Sequence, residues 1–299
     1  MAEQHKLFTP ASALGRPFRA FAGAHKKYGT EWIMLSIGVV IVAAIIIIAL
    51  FPGVFAPYGP LDQEAGPQLA APSLEHPMGT DNLRRDVFSR VIFGSRTILG
   101  VAFSAALLSM IIGVPIGLLS GYVGGILDRI LSLIMDSIYS FPGMILAIAF
   151  AAMLGPGVFN VTTAVAVVYI PQYYRLVRGQ TLSIKEEVYV EAARALGANQ
   201  WVILGRYVFP NVIATVAVIF SLNIVDGIMF EAALSYLGLG LPANIPDWGM
   251  DLSMGKKYLP SGVWWMVTYP GLAIVILATG FTMLGEALAE ILNPKLLEK

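Results

Sequence analysis

Six long apolar stretches constrain the fold of this chain more than any other feature of its sequence. Each has roughly the length that an α-helix needs to cross the hydrocarbon core of a bilayer. The stretches cover residues 32–51, 97–119, 131–154, 158–173, 208–230 and 264–288. The composition agrees, because 57% of the 299 residues are hydrophobic and 13% are charged, whereas soluble domains have about 45–50% apolar and about 25% charged residues. We therefore expect an all-α protein with six transmembrane helices, embedded in the lipid bilayer of the cell membrane.

Basic residues indicate how these helices are oriented. Five lysines and arginines precede the first apolar stretch: Lys6, Arg16, Arg19, Lys26 and Lys27. Arg175, Arg178 and Lys185 follow the fourth stretch. Since Lys and Arg are enriched in cytoplasmic segments, both groups favour the cytoplasmic side. Six crossings then leave both termini in the cytoplasm, together with the polar loop of residues 174–206.

The sequence offers no set of residues for catalysis or metal binding. It has no cysteine, and its three histidines, His5, His25 and His76, are scattered over the tail and a loop. A phosphate-binding loop needs four residues between its glycines, whereas five residues separate Gly249 from Gly255. The net charge is +0 and no basic stripe lies outside the loops, so a nucleic-acid partner is not indicated. We expect a chain that is not an enzyme and that holds no cofactor and no metal ion.

The longest polar interruption in the second half of the chain contains the sequence EAARALG, residues 191–197. Val188, Ala192 and Ala195 are spaced i, i+4 and i+7, so they share one face of a predicted helix. Gly197 is suited to end this helix, because glycine readily adopts the left-handed conformation that closes a helix. The pattern predicts a short helix, a glycine break and the beginning of a second helix.

This stretch resembles the EAA loop of ABC-transporter permeases, which reads E-A-A, three residues, G, nine residues and I-x-L-P. Five positions match: Glu191, Ala192, Ala193, Gly197 and Pro210. Tyr207 and Phe209 stand where the pattern has isoleucine and leucine. In that family the loop lies on the cytoplasmic side and docks into a groove of a separate ATPase subunit. The resemblance therefore implies an ATPase-docking site. Its residues are Glu191, Ala192, Ala193, Ala195, Leu196 and Gly197.

Two further segments resemble the peptide and nickel permeases within this family. Residues 76–90 are similar to the signature H-P-x-G-T-D-x-x-G-R-D-V-x-S-R, with Arg84 in place of the usual glycine. Residues 231–249 are similar to a segment that reads E-A-A-L-S-F-L-G-L-G and ends in W-G. The resemblance identifies the chain as a permease subunit of the dipeptide, oligopeptide and nickel importer group, with a type I ABC importer permease fold.

The resemblance also implies a domain division, partners and a mechanism. Residues 1–93 would hold the N-terminal tail, the first helix and an extracytoplasmic segment, and residues 94–290 the permease domain, with its EAA loop at about 174–210. In the family, two permeases form the pathway, two ATPase subunits power it, and an extracytoplasmic solute-binding protein delivers the solute. We expect a heterodimer with a second homologous permease, alternating access, and di- or oligopeptides as the favoured solute.

The fifth apolar stretch carries three polar residues that are candidates for lining the pathway, namely Ser221, Asn223 and Asp226. Polar groups that face lipid are costly, so these residues should face the bundle interior or a cavity. Asp226 is either a pathway-lining side chain or a hydrogen-bonded structural carboxylate. A rival hypothesis is an ATP-independent, proton-coupled secondary transporter with Asp226 and Asp136 as its proton relay.

Other patterns predict how the helices pack. Small residues recur at every fourth position along the second stretch: Ala105, Ser109, Gly113, Gly117 and Gly121. Such a stripe lets another helix approach closely, so we expect a packing surface. Pro142 lies inside the third stretch, where it should bend the helix.

Two features are predicted for the outer side of the membrane. Residues 51–96 are polar and rich in proline, so they should form an irregular segment. Five aromatic residues precede or begin the sixth stretch: Trp248, Tyr258, Trp264, Trp265 and Tyr269. Because Trp and Tyr are enriched at membrane–water interfaces, we expect these residues to form an interfacial belt.

Overall fold

The computed structural model describes residues 30–291, so the basic N-terminal tail and both chain ends lie outside the described residues. Within this range the chain is all-α, without a strand, and one isolated antiparallel bridge joins Thr80 to Asp86. The helices are α1 (Thr30–Leu50), α2 (Pro52–Phe55), α3 (Val87–Val123), α4 (Gly125–Tyr139), α5 (Gly143–Leu154), α6 (Val158–Ile184), α7 (Val188–Ala195), α8 (Gln200–Val202), α9 (Phe209–Tyr236), α10 (Trp248–Gly255) and α11 (Trp265–Ile291). A π-helical segment (Ile203–Val208) joins α8 to α9, and a 3₁₀ helix (Lys256–Ser261) follows α10.

Four helical segments among the described residues are long and apolar enough to cross a membrane. They are Trp32–Leu50, Val87–Val123, Gln200–Tyr236 and Trp265–Glu290. The bent pair α4 and α5 makes a fifth crossing if both helices belong to one span. The predicted fourth span is the first part of α6, a helix of 27 residues that also carries polar side chains such as Gln172 and Arg178. The all-α fold is therefore confirmed, with four to five helical segments among the described residues that are long and apolar enough to cross a membrane, and the count of six stays a prediction.

The third predicted span is broken sharply at the predicted proline. Helices α4 and α5 are bent by 90° at the linker of residues 140–142. Pro142 has no N–H to donate and disfavours a helical conformation at Phe141, so the chain leaves the helix there. The sequence indicated a bend, and the structure shows that the two halves are nearly perpendicular.

The stripe of small residues in α3 is a helix-packing surface, as predicted. The Ser109 hydroxyl is buried and lies within hydrogen-bond distance of two carbonyl oxygens, that of Ala105 in its own helix at 2.7 Å and that of Ala166 in α6 at 2.9 Å. A Cβ atom at Gly113 would lie 2.6 Å from the Cβ of Tyr173, and the next two glycines of the stripe meet α6 atoms at 2.8 Å. No side chain larger than hydrogen fits at these glycines, because the backbones of α3 and α6 are in contact.

The predicted outer segment, residues 51–96, is irregular between α2 and α3, as predicted. Its last part is helical, however, because α3 begins at Val87 instead of residue 97. Asp86 caps this helix, and its Oδ2 atom accepts hydrogen bonds from the N–H and the hydroxyl of Ser89, both at 2.7 Å. Such a cap satisfies N–H groups that the first helical turn leaves without partners. The predicted domain boundary near residue 93 lies inside α3 and stays a prediction.

The predicted aromatic belt is wrong for two of its five members. Trp248 and Trp265 are 2% and 6% exposed. Their indole N–H groups donate to backbone carbonyl oxygens, of Val91 at 2.9 Å and of Thr80 at 3.0 Å. Buried indoles generally need such a partner. These two tryptophans therefore pack α10 and the outer segment onto the transmembrane helices, whereas Trp264 is 48% exposed.

Candidate functional site

The predicted docking loop forms α7, which packs with one face on the rest of the chain. Val190 and Ala193 on this face are 0% and 7% exposed. Val190 lies in an apolar cluster that joins α3, α6, the π-helical segment and α9. The other buried members of the cluster are Val114, Tyr173, Val177, Ile203, Leu204, Val208, Val212 and Val216. Of the six predicted docking residues, Ala193 is turned toward this interior and the other five are exposed.

The opposite face of α7 is apolar and exposed. Val188 and Leu196 are 79% and 89% exposed, and Ala192 and Ala195 lie exposed beside them. Glu191, in the first turn, is exposed as well. Contiguous apolar residues on a surface mark interaction sites more often than isolated ones do. The face that the spacing predicted is therefore the outward face, and small alanines let another surface approach its backbone.

Gly197 ends α7 in the manner that the sequence predicted. Its φ angle is +83°, and its N–H donates to the carbonyl oxygen of Arg194 while the N–H of Ala198 donates to that of Ala193, both at 3.0 Å. This pair of bonds is a Schellman motif. A Cβ atom at Gly197 would meet nothing within 4 Å. The glycine is required by its backbone conformation, because the site itself has open space.

A network of charged and polar side chains joins the end of α3, the beginning of α4 and the end of α6, which precedes α7. Asp128 accepts two hydrogen bonds from the Arg178 guanidinium, at 2.5 and 2.7 Å, and a third from the Ser120 hydroxyl at 2.5 Å. Lys185, just before α7, donates from Nζ to the carbonyl oxygen of Gly121 at 3.0 Å. Three helices therefore share contacts next to the predicted docking loop.

A π-helical segment, which the sequence analysis did not predict, connects α8 to α9. Asn199 caps α8 as an acceptor for the N–H of Trp201 at 3.1 Å, and the N–H of Phe209 donates to the carbonyl oxygen of Leu204, five residues back. Pro210 follows at once. Because proline lacks an N–H and its ring crowds the preceding turn, a wider turn accommodates it. The proline of the EAA pattern is the signal that could have predicted this irregularity.

The three predicted pathway residues lie in two different environments. Ser221 and Asn223 are buried within the packed helices, at 8% and 1% exposure. Asp226 is exposed and lines a cavity of about 450 Å³ between α9, α6 and the linker that joins α4 to α5. Only Asp226 therefore occupies the position that a pathway-lining residue needs, and Asp136 is not among the residues that line this cavity.

Two polar residues of the cavity were missed by the sequence analysis. Tyr169 and Gln172 in α6 both line it, together with Tyr139 and Phe141 at the break between α4 and α5. The spacing of Tyr169 and Gln172, three residues apart, places them on one helical face. That spacing within an otherwise apolar stretch was the available signal.

Comparison with known proteins assigns the family. The family of binding-protein-dependent transport system inner membrane components matches residues 113–298. The dipeptide transport system permease protein DppC of Alkalihalophilus pseudofirmus is 36% identical over 260 residues, which are 87% of this chain and 85% of that protein. The glutathione transport system permease protein GsiD of Pectobacterium atrosepticum is 42% identical over 225 residues, which are 75% of this chain and 74% of that protein.

The fold has a solved counterpart. A structure of the MetNI methionine ABC transporter in inward-facing conformations superposes with a TM-score of 0.53 at 18% identity, over 68% of this chain and 96% of that chain. This likeness concerns the fold, which agrees with the predicted permease architecture. The chain is a multi-pass protein of the inner membrane, and it belongs to the family of binding-protein-dependent transport system inner membrane components, the permease subunits of ABC importers.

Proposed function

We propose that this chain forms half of the translocation pathway of an ATP-driven importer for di- or oligopeptides and that it works by alternating access. The observation that carries the proposal is the exposed apolar face of α7, with Val188 and Leu196 at 79% and 89% exposure. Exposure of such a face to water is unfavourable, and the free energy falls when a partner covers it. Because the sequence has no phosphate-binding loop, the partner that we infer is a separate ATPase subunit.

The shape of α7 suits docking into a groove. Ala192 and Ala195 add little bulk to its exposed face, so a groove can approach the helix backbone. Glu191 lies exposed in the first turn, where it can pair with a basic residue of the groove. An exposed ion pair of this kind contributes at most about 1 kcal/mol. Apolar contact by Val188 and Leu196 is therefore the main source of affinity in this proposal.

The inner face of α7 explains how docking would move the transmembrane helices. Val190 belongs to an apolar cluster with residues of α6, the π-helical segment and α9, and Ala193 is buried on the same face of α7. A close-packed core transmits displacement instead of absorbing it. A force on α7 would therefore reach α6 and α9 together, and both helices line the cavity that contains Asp226. This coupling is the step that converts closure of the ATPase subunits into a change of pathway access.

The proposed topology has six crossings with both termini in the cytoplasm. It counts the bent pair α4 and α5 as one span and α6 as another. Helix α6 is less apolar than the others, but its first part is buried against α3 and α9, with Val161, Ala164 and Val165 at 0% exposure. A membrane helix shielded by neighbouring helices tolerates polar side chains that a lipid-facing helix does not. This topology leaves α7 on the cytoplasmic side, where an ATPase can reach it.

The names of the relatives support a peptide as the solute. The similar permeases are named for the transport of dipeptides, glutathione and, in Escherichia coli, probable D,D-dipeptides. All three are small peptides. A second homologous permease would complete the pathway as a heterodimer, and an extracytoplasmic solute-binding protein would deliver the peptide from outside.

The test is uptake of dialanine by proteoliposomes that contain this chain with its companion permease and ATPase subunits. The external binding protein and internal ATP are supplied. Replacement of Leu196 by Asp should lower uptake at least about tenfold, because the charge opposes apolar docking. The variant should unfold at the normal temperature, since Leu196 is 89% exposed. Ser183→Asp, which adds the same charge at an exposed position in α6, is the matched control and should retain uptake.

Two outcomes would overturn the proposal. Normal uptake and normal ATP hydrolysis by the Leu196→Asp transporter would show that α7 is not the docking element. Dialanine uptake by this chain alone, driven by a pH gradient without ATP, would favour the rival proton-coupled carrier. Recovery of an ATPase and a second permease with the affinity-purified wild-type chain would support the assembly directly.

A further inference from the structure

The cavity beside Asp226 has the composition of a small-molecule site. Its volume is about 450 Å³, within the range of about 300–1,000 Å³ that is typical of ligand pockets. Aromatic and aliphatic side chains make up most of its wall. The residues that bear on its chemistry are Tyr139, Phe141, Tyr169, Gln172, Asp226 and Phe230.

Among the described residues that line this cavity, Asp226 alone is charged. Among residues 30–291, no lysine, arginine or histidine forms an ion pair with it. The nearby basic side chain Arg175 is occupied elsewhere, since its Nε atom lies 3.8 Å from Asp136 Oδ1 and its guanidinium lies 4.6 Å from the centre of the Tyr139 ring. The carboxylate therefore faces the cavity without a cation from the described part of the chain.

A carboxylate that lines a cavity without a counter-ion attracts cations. Water screens charges less effectively in a cavity walled by apolar groups than in bulk solvent, so an ion pair formed there is stronger. Carboxylates in membrane helices generally pair with a cation or mark the path of one. The free energy of the site would fall when a positively charged group enters it.

Two neutral acceptors and an aromatic wall complete a site for an ammonium group. The Tyr169 hydroxyl is buried and has no hydrogen-bond partner within the described residues. The Gln172 amide, on the same side of α6, supplies a carbonyl oxygen. Tyr169 and Phe230 pack edge to face with ring centres 5.5 Å apart, and aromatic faces attract cations. An ammonium group has three N–H donors, which matches one carboxylate and two neutral acceptors.

We propose that this cavity binds the α-ammonium group of the peptide in transit, with Asp226 as its counter-ion and Tyr169 and Gln172 as further acceptors. The inference rests on the proposed function, because it assumes that the cavity belongs to a peptide pathway. Three acceptors on the wall of one cavity would favour peptides with a free amino terminus. The position of Asp226 on α9 and of its partners on α6 also ties the site to the two helices that α7 would move.

The test measures binding without transport. The transporter, assembled from both permeases and the ATPase subunits, is placed in lipid nanodiscs without binding protein and without ATP. Saturation-transfer NMR then compares dialanine with N-acetyl-dialanine, which lacks the ammonium group. We expect dialanine to bind at least about tenfold more tightly than the acetylated peptide, because an ion pair in a shielded site is worth more than a neutral contact.

Three variants assign the effect to the cavity. Asp226→Asn has the same shape without the charge and should weaken dialanine binding at least about tenfold, whereas Asp226→Glu, which keeps the charge, should bind within a factor of about three. Asp62→Asn is the matched control, because Asp62 is exposed, lies outside the cavity and accepts a hydrogen bond from the N–H of Glu64 at 3.0 Å. Co-purification with the partner subunits and the unfolding temperature show whether each variant is folded.

Equal binding of dialanine by wild type and a folded Asp226→Asn transporter would overturn the inference. That result would arise if a basic residue of the second permease neutralised Asp226 in the assembly. Equal binding of dialanine and N-acetyl-dialanine by the wild type would overturn it too. Neither result tests import itself. The proposed function is tested separately, and it would be contradicted if the wild-type transporter showed no ATP-driven uptake.

Discussion

Arg90 in α3 and Asp251 in α10 form a buried ion pair between residues 161 positions apart, with Asp251 Oδ1 at 2.5 Å from Nη2 and 2.9 Å from Nε of Arg90. Arg90 is 1% exposed and also donates to the carbonyl oxygen of Pro60 at 3.1 Å. One arginine therefore connects α3, the irregular segment that contains Pro60, and α10. These three parts of the protein are held together by contacts between residues that are distant in sequence.

Breaking this pair should destabilise the protein more than removing it entirely. Asp251→Ala leaves the Arg90 guanidinium buried without a counter-ion, and we expect it to cost about 3–5 kcal/mol of unfolding free energy. The double variant Arg90→Met and Asp251→Leu replaces both charges by apolar groups and should recover most of that loss. Thermal unfolding in detergent, followed by tryptophan fluorescence, measures both.

The control for this pair is Asp62→Ala. Asp62 is exposed and accepts a hydrogen bond only from the N–H of nearby Glu64 at 3.0 Å, so its removal should change stability little. If Asp251→Ala and the double variant were equally unstable, the loss of stability would come from altered packing at these positions and not from an unpaired buried charge on Arg90.

Arg84 occupies a strained position, because its φ angle is +64°. Left-handed conformations cost an ordinary residue about 1–2 kcal/mol and cost glycine little. We therefore expect Arg84→Gly to be more stable than Arg84→Ala by about 1 kcal/mol, although both lose the exposed hydrogen bond from Arg84 Nε to the carbonyl oxygen of Gly66. Equal unfolding temperatures of the two variants would show that this turn carries no strain.

Two glycines of the same helix should respond in opposite directions to the same change. Gly113→Ala introduces a Cβ atom 2.6 Å from Tyr173 Cβ, so α3 and α6 must separate and stability should fall by about 1–3 kcal/mol. Gly100 is exposed and has open space around it. Gly100→Ala should raise stability by up to about 1 kcal/mol, since alanine favours the helix more than glycine does. Unfolding temperatures that fell equally would refute the close contact between α3 and α6.

Periodicity and motif predicted the parts of this protein that depend on local sequence. The length of the apolar stretches predicted the long helices, and the spacing of small residues predicted that α3 packs closely against another helix. The spacing of Val188, Ala192 and Ala195 predicted that they share one face of α7, and Gly197 was predicted to end this helix. Each of these features is decided by residues within one or two turns of one another. The outcome at Ala193, which packs inward, shows the limit: a motif names residues but does not say which of them faces the partner.

Features that depend on distant residues could not be predicted in this way. Trp248 looks like an interfacial tryptophan in sequence, but the carbonyl oxygen of Val91 in α3 holds its indole inside the protein. Residues on both sides of the 90° bend at Pro142 line the cavity at Asp226. A proline in the sequence predicts where a helix bends but not by what angle. Tyr169 of α6 and Asp226 of α9 line the same cavity, and the spacing of residues along either helix does not show that the two helices bring them to one cavity.

The Ser235 hydroxyl lies between two buried carboxyl groups, and it has too few hydrogens to donate to both of them. The Ser235 hydroxyl lies 2.8 Å from Asp247 Oδ2 and 3.2 Å from Glu231 Oε1, all of them buried. A hydroxyl has one hydrogen to donate, so only one of the two carboxyl groups can accept it. The other contact is favourable only if that carboxyl group carries a proton and donates it to the hydroxyl oxygen. We therefore infer that the two carboxyl groups share one proton.

Glu231→Gln should then be tolerated, because its amide N–H can donate to the Ser235 oxygen as the shared proton would. We expect its unfolding free energy to stay within about 1 kcal/mol of the wild type, whereas Glu231→Ala should lose about 2–4 kcal/mol through the cavity that it leaves. Thermal unfolding of both variants, with uptake as a second readout, distinguishes them. If Glu231→Gln proved as unstable as Glu231→Ala, the shared proton would be refuted, because both carboxyl groups would then have to be ionised. Another hydrogen-bond donor to Glu231 would in that case be needed to hold the end of α9 against α10.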